Sequence, residues 1–555
     1  MQRGLLTTLA LPLPAPHPAS CRGRRVPVES PFSNREKIMS LLERAPLRRL
    51  QNEFRRSMRR LLRDLCDDLE RHYAGLASGL GLQIGYVRFL TRAFEGAGYS
   101  NWKVVGWIEA VNDLVYFLDV WAQIRKERNP QLFAQQLFHE CEQKFFENSY
   151  TDDLFPQKQA RVFGLEGRLQ RLCVRLSREV TEESLFFDPQ WPMAWLAREG
   201  RQRWEVPANL DHCFERGERA GTVPIGTQGR ALLAPRVVAQ DLRGGQRRPM
   251  WIVTPNAITL RLDRPRPLCR RRGDRLAYHW VLTEAAVAAT TPYGPLTVGP
   301  TLQYGKNREP TALSPTAPGQ VVRIARAWKA IRLAWPKAHR ILELLTSHIV
   351  PLKARGVVSF SYRHRPGLSF VNCFHRDNLD LLDDLIHENS HHHLNLLLRK
   401  QVLYRGDHNQ QIFYSPWRRS LRPVRGILHA TFTFTMGAQL FERLSSWAAT
   451  GPGLLQWRKA GLTSRDLLRA RFRCLEEIES VRYSLRDLQY ASGRLNWLTG
   501  SGRRLVRQLE QAIAKTERNI SKHRNTVLAS PYGRLLHAHL TELRQARHTY
   551  GPGHG

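Results

Sequence analysis

The stretch Leu381–Lys400, LLDDLIHENSHHHLNLLLRK, constrains this chain more than any other. Leu381, Leu382, Leu385, Ile386 and Leu394 recur at helical spacing, and no proline or glycine interrupts them, so the run predicts a buried α-helix. Residues four apart on a helix share a face one turn apart. His387 and His391, the ends of an H-E-x-x-H pattern with Glu388 between them, can therefore turn two imidazoles toward one ion. His392 and His393 follow at once and point to other faces. Asp383 and Asp384, in the preceding turn, read as charge pairs or as groups that orient ligands. The plainer alternative is a polar patch on an ordinary helix, so the rest of the chain has to supply a third ligand and a pocket.

An extended zinc-protease pattern would need a glycine and a histidine three and six residues after His391, but Leu394 and Leu397 stand there. That subclass is excluded. Two candidates remain for the third ligand. Glu442 lies about fifty residues on, and His429 sits in the apolar stretch RGILHATFTF. They are thirteen residues apart, so one helix carrying both presents them to different surroundings. Between the first helix and His429 lies YRGDHNQQIFYSPWRRSLRPVRG, with Arg418, Arg419, Arg422 and Arg425. Arginine forks hold carboxylates in bidentate fashion. Four of them just before a metal-ligand candidate suit an enzyme that holds a small dicarboxylate against the metal. Surface basicity is the competing explanation.

The flanking sequence fixes the fold class. Residues 35–201 repeat Leu, Ile and Met at three- and four-residue steps with charges between, the pattern of packing helices. Residues 202–319 are richer in Pro and Gly and carry runs such as RPMWIVTPNAITLRLD, which read as short strands and loops. Residues 320–450 hold the motif helix, preceded by SFSYRHRPGLSFVN, a hairpin turning at Pro366-Gly367. GILHATFTFTMGAQLFERLSSW reads as a helix despite its β-branched residues. Residues 451–548 return to charged helical periodicity. The expectation is a predominantly helical α+β protein, with helical N- and C-terminal regions around a mixed central part that carries the H-E-x-x-H helix. Residues 1–34 read as a disordered tail.

Lys and Arg number 85 against 49 acidic residues, a formal net charge of +36. Such a charge draws acidic or polyanionic partners, although no zinc-finger, RRM or KH pattern appears. No run is apolar enough to cross a membrane. The eight cysteines are scattered and form no C-x-x-C pair, which reads as reduced thiols in a cytoplasmic protein.

The segment 320–445 resembles the bacterial HExxH-motif peptide-modification proteins. The pieces that carry the resemblance are AWPKAHRILELLTSHIVPL, SFSYRHRPGLSFVN, LIHENSHHHLNLLL and YSPWRRSLRPVRGILHATFTF, in that order and spacing. The resemblance implies an Fe(II)- and 2-oxoglutarate-dependent oxygenase that hydroxylates side chains, often at Cβ, in ribosomally made precursor peptides. It implies His387, His391 and His429 as metal ligands. A P-W-R-x-D-P-R-P-like loop of the family corresponds to Pro416, Trp417, Arg418, Arg422 and Pro423, with Arg418 and Arg422 on the cosubstrate. The chain departs from the family at Ser420-Leu421, Ala430 and Phe432, and in its extra His392 and His393. Glu388 then orients a ligand or bound water. Two other readings stand beside this one. A zinc peptidase would use His387, His391 and Glu442 on the metal and Glu388 as general base. A basic nucleic-acid-binding scaffold would carry the motif incidentally.

Overall fold

A computed structural model describes residues 44–82, 101–126, 164–174, 286–299, 318–352 and 357–551 almost without break, and short strands and single positions between them. The expected N-terminal tail lies outside the described residues. All described residues belong to one compact unit, 41–555.

Helices dominate, as the periodicity predicts. In the N-terminal part they are α1 (Arg44–His72), α2 (Ala74–Gly79) and α3 (Trp102–Ile124). The buried residues of α1, from Leu47 through Phe54, Met58 and Leu62 to Leu69, fall on one side, and arginines fill the other. The region read as strands and loops holds a six-stranded antiparallel sheet, in the order Trp204–Pro207, Met250–Val253, Ala257–Arg261, Arg266–Arg272, Arg275–Tyr278, Thr222–Pro224.

A second sheet supports the motif helix. Its strands are β1 (Ala286–Thr291), β2 (Gly294–Val298), β3 (His348–Leu352), β4 (Phe360–Ser361) and β5 (Leu368–Asn372). Their order is β4-β5-β3-β2-β1, with β2, β3 and β5 parallel and the two edges antiparallel. The residues of β5 are all buried, as expected of a strand covered on both faces. Trp102 at the start of α3 packs on Val350, Leu352, Leu368 and Phe370 of this sheet. The hairpin expected at Pro366-Gly367 is present. Gly367 has φ of 91°, and a Cβ there would approach Leu345 O to 3.2 Å, so a side chain is doubly disfavoured.

Two helices, α4 (Pro318–Ala334) and α5 (Pro336–Leu345), lead into β3, and the motif helix α6 (Asn378–Leu398) follows β5. A capping box formed by Asp377 and Asp380 starts α6 and satisfies two otherwise orphaned amides. Leu381, Leu382, Leu385, Ile386 and Leu394 are buried, each stabilising the fold by roughly 1.5–3 kcal/mol relative to exposure. A short hairpin, β6 (Phe413–Ser415) with β7 (Ser420–Arg422), leads into α7 (Val424–Ala448).

Beyond it run α8 (Gly451–Lys459), α9 (Ser464–Gly493), α10 (Gly500–Ile520), α11 (Arg524–Leu528) and α12 (Pro531–Tyr550). The C-terminal helices are integral to the fold. Helix α9 lies along α7, and Cys474 of α9 donates its thiol to Ala438 O of α7 at 3.3 Å. Among the described residues, no helix is long and apolar enough to cross a membrane.

Candidate metal centre

Helices α6 and α7 run antiparallel, and their pairing builds the centre. His391 of α6 faces His429 of α7, with ring centroids 6.0 Å apart and planes at 29°. One turn back along α6, His387 meets Phe434 at 5.0 Å. One turn further, Asp383 meets Gly437, where a Cβ would stand 3.3 Å from Oδ1. Glycine at that contact lets the two helices approach closely.

The centroids of His387 and His391 are 5.0 Å apart, as the four-residue spacing dictates. An imidazole centroid lies roughly 3 Å from an ion held by one of its nitrogens, so two rings on one ion sit within roughly 6 Å of each other. Both histidine pairs fall inside that limit. Ligand atoms of His387, Glu388 and His391 all lie within 4.8 Å of one another. Two donors about 2.1 Å from an ion are at most about 4.2 Å apart, so small side-chain rotations close this set on a metal. His429 stands beside the set, one ring further out.

Electrostatics prepare the donors. Burial pushes all three histidines down: His429 to about 4, His391 well below the usual range, and His387 in the same direction. His387, His429, His392 and Arg418 add to the effect at His391, and Arg425 and Arg363 add to it at His429. Neutral imidazoles keep a lone pair for a metal. Each of the three rings is half-buried rather than sealed.

Glu388 is 1% exposed, and burial raises its carboxyl to about 8, with the Asp384 charge adding to the rise. Ser361 of β4 lies close enough to favour the carboxylate, yet no proper hydrogen bond forms. Glu388 Oε2 and Ser361 Oγ both remain without partners. A buried carboxyl oxygen left unpartnered beside two neutral histidines fits a missing cation. The donor set His387, Glu388 and His391 therefore fits a metal ion, and His429 lies next to it, its ring 6.0 Å from that of His391.

The β6–β7 hairpin brings the arginines. Arg418 perturbs both His387 and His391, and Arg422 is held down by burial and by its neighbours Arg418 and Arg425. Neither the Arg418 nor the Arg422 side chain forms an ion pair or hydrogen bond among the described residues. The hairpin is braced from behind. Trp417 stacks on Phe434 (4.2 Å, 3°) and donates from Nε1 to Glu477 Oε2 at 2.8 Å. Arg419, two residues after Trp417, has φ of 50° and turns away to Glu542 of α12 at 2.9 Å.

Glu442 is not brought to the histidines. It lies eight residues past Phe434, about 12 Å further along α7. There it accepts from Ser446 at 3.0 Å and sits 3.3 Å from Arg443 Nε.

His392 and His393 have structural places. His392 Nδ1 accepts from Gly367 N at 3.3 Å, which leaves Nε2–H to donate to Ser369 Oγ at 3.1 Å. It ties the hairpin turn to α6. His393 packs edge-on against Phe432 at 5.2 Å. Burial lowers both to about 4.

Sequence reasoning missed Glu477 and Arg473 of α9. Arg473 reaches Glu477 at 2.8 Å and Asp383 at 3.5 Å, so α9 supports both Trp417 and the turn before His387. Their i,i+4 spacing is visible in the sequence, but not the face of α7 they meet. Compared with known protein families and with curated proteins, the chain finds no match.

Proposed function

We propose that this chain is a metal-dependent peptide-modifying enzyme, an Fe(II)/2-oxoglutarate-dependent oxygenase that hydroxylates a side chain of a ribosomally made peptide. The observation that carries the reading is one of charge. Three histidines whose charged forms burial disfavours and a single buried carboxyl lie beside Arg418, and Arg418 and its neighbour Arg422 have no carboxylate of their own. A dicarboxylate cosubstrate answers both features, chelating the metal at one end and neutralising an arginine at the other. Bound iron with 2-oxoglutarate and dioxygen supplies the chemistry that inserts one oxygen atom into a C–H bond while the other enters succinate, with release of CO2.

The residues have separable tasks in this reading. His387, His391 and His429 would hold the ion, which would supply the oxidative chemistry. Glu388 is close enough to ligate or to orient a bound water. Arg418 and Arg422 hold the anionic cosubstrate, and Trp417, braced by Glu477 and Phe434, fixes the hairpin that carries them. The zinc-hydrolase alternative loses support with Glu442, the ligand it requires, on a distant part of α7.

The test is anaerobic reconstitution with Fe(II), then addition of oxygen and 2-oxoglutarate. The reading expects succinate formation that depends on iron and on His387. Zinc-dependent peptide cleavage without succinate would replace it with the hydrolase.

A further inference from the structure

Helix α1 carries a feature that the metal centre does not use. Arg48, Arg49, Arg56, Arg59, Arg60 and Arg63 are all exposed. At 100° per residue they fall within an arc of about 120°, and they span about 22 Å of helix. The buried residues Phe54, Met58, Leu62 and Leu65 lie on the opposite side. None of the six arginines forms an ion pair or hydrogen bond among the described residues. Glu53, the one acidic residue in that span, lies outside the arc and is taken by Lys400 at 2.8 Å. The result is a continuous, unneutralised cationic stripe.

The opposite, buried side of α1 packs against the end of the motif helix. Arg399, eight residues past His391 and so about 12 Å along α6, lies over the Phe54 ring of α1 at 4.6 Å. Arg399 also donates to Arg363 O at 2.9 Å, and Arg363 is one of the cations that act on His429. Arg399 is itself held by Glu109 at 2.6 Å, so it braces this junction and the stripe stands apart from it.

We infer that this face of α1 docks an acidic peptide segment. On the oxygenase reading, on which this assignment of the segment rests, it is the recognition portion of the substrate, held beside the centre while the modified residue reaches the metal. An acidic peptide answers the charge of both the stripe and the arginines near His429. A single-stranded nucleic acid fits less well, because such sites interleave aromatic rings on which bases stack. The exposed face of α1 offers no aromatic or large apolar side chain.

The experiment is direct binding of a fluorescent 15-residue Asp/Glu-rich peptide to the full chain, read by anisotropy. The wild type binds, and Arg56→Glu/Arg59→Glu/Arg63→Glu weakens binding by about tenfold or more. Raising the salt from about 50 to about 300 mM weakens the wild type more than the variant. Reversal of three exposed cations elsewhere, Arg507→Glu/Lys515→Glu/Arg518→Glu on α10, has little effect. Should the triple reversal fail to fold, Arg56→Gln/Arg59→Gln/Arg63→Gln gives the same direction at smaller amplitude.

His387→Ala binds the peptide like the wild type, which separates docking from chemistry. Absence of succinate with peptide binding intact sinks the oxygenase reading and leaves the docking face standing. The inference is overturned if the wild type does not bind, if the α1 variant binds equally well, or if an RNA oligonucleotide of equal charge binds the stripe more tightly than the peptide.

Discussion

The first turns of α6 and its histidine-bearing middle sit in opposite electrostatic surroundings. At its start the arginines of α9 hold carboxylates. Arg469 reaches Asp377 at 2.6 Å and Asp380 at 3.4 Å, and Arg473 reaches Asp383, Glu476 and Glu477. Asp380, Asp383, Arg469, Arg473 and Glu476 line a cavity of about 450 Å³ together with Phe441, Phe472 and Tyr532. Around the histidines, Arg418 and Arg422 have no carboxylate among the described residues, three imidazoles are neutral, and the one buried carboxyl, Glu388, keeps an oxygen without a partner. A cation that already holds its carboxylates braces the scaffold. A cation beside neutral donors, with nothing to hold, is arranged for a ligand that arrives from outside.

Four perturbations sharpen or break that contrast, from the largest expected effect to the smallest. His387→Ala or His391→Ala should reduce iron-dependent succinate formation by at least about 100-fold, the upper end of what loss of a merely supporting partner gives. Glu442→Ala should leave most of it, and an equal loss there would return the third-ligand role to Glu442.

Arg418→Ala or Arg422→Ala should raise the KM for 2-oxoglutarate by about 10- to 100-fold, the size of a lost charge-assisted hydrogen bond of about 1.5–3 kcal/mol, with Tm unchanged. At the start of α6, Arg469→Ala should do the reverse, lowering Tm with KM unaltered. If both variants move KM alike, the division between paired and unpaired cations has no functional meaning.

Acid should act through the buried histidines. His392 and His393 are held to about 4 against an ordinary 6.5. Between those values the unfolded chain binds more protons than the folded one, so stability falls as pH drops from about 6.5 to about 4. Each group is worth up to about 3 kcal/mol at the acid limit. Thermal melts across that range check the sign, and His393→Phe should flatten the slope.

The smallest effect is expected for Trp417→Phe. The substitution keeps a ring on Phe434 but removes the donor to Glu477, for about 1 kcal/mol of stability. A few-fold fall in turnover should accompany it, measured as succinate released per minute. Unchanged turnover would mean that the hairpin is fixed without this bond.

Much of this arrangement can be read from the sequence, because its determinants are local. The apolar spacing around His387 makes α6 a helix, and Pro366-Gly367 marks its hairpin. Helix α7 is legible despite Thr431, Thr433 and Thr435. Thr431 donates to Ile427 O and Thr435 to Thr431 O, local bonds that satisfy the hydroxyls within a helix.

The rest depends on contacts between distant segments. The antiparallel register of α6 against α7 is what favours His429 over Glu442, and no spacing rule encodes it. The place of His392 needs Gly367 and Ser369, more than twenty residues upstream. The brace on Trp417 needs α9, sixty residues downstream, whose charged helical pattern reads equally well as an appendage.

The central claim is that His387, Glu388, His391 and His429 form one metal site. Anaerobic loading of the purified chain with Fe(II), removal of free metal and counting of ions per chain tests it most directly. The account predicts one ion per chain in the wild type and in Glu442→Ala, and loss of that ion in His387→Ala and His391→Ala. Full retention of iron by either histidine variant would contradict it.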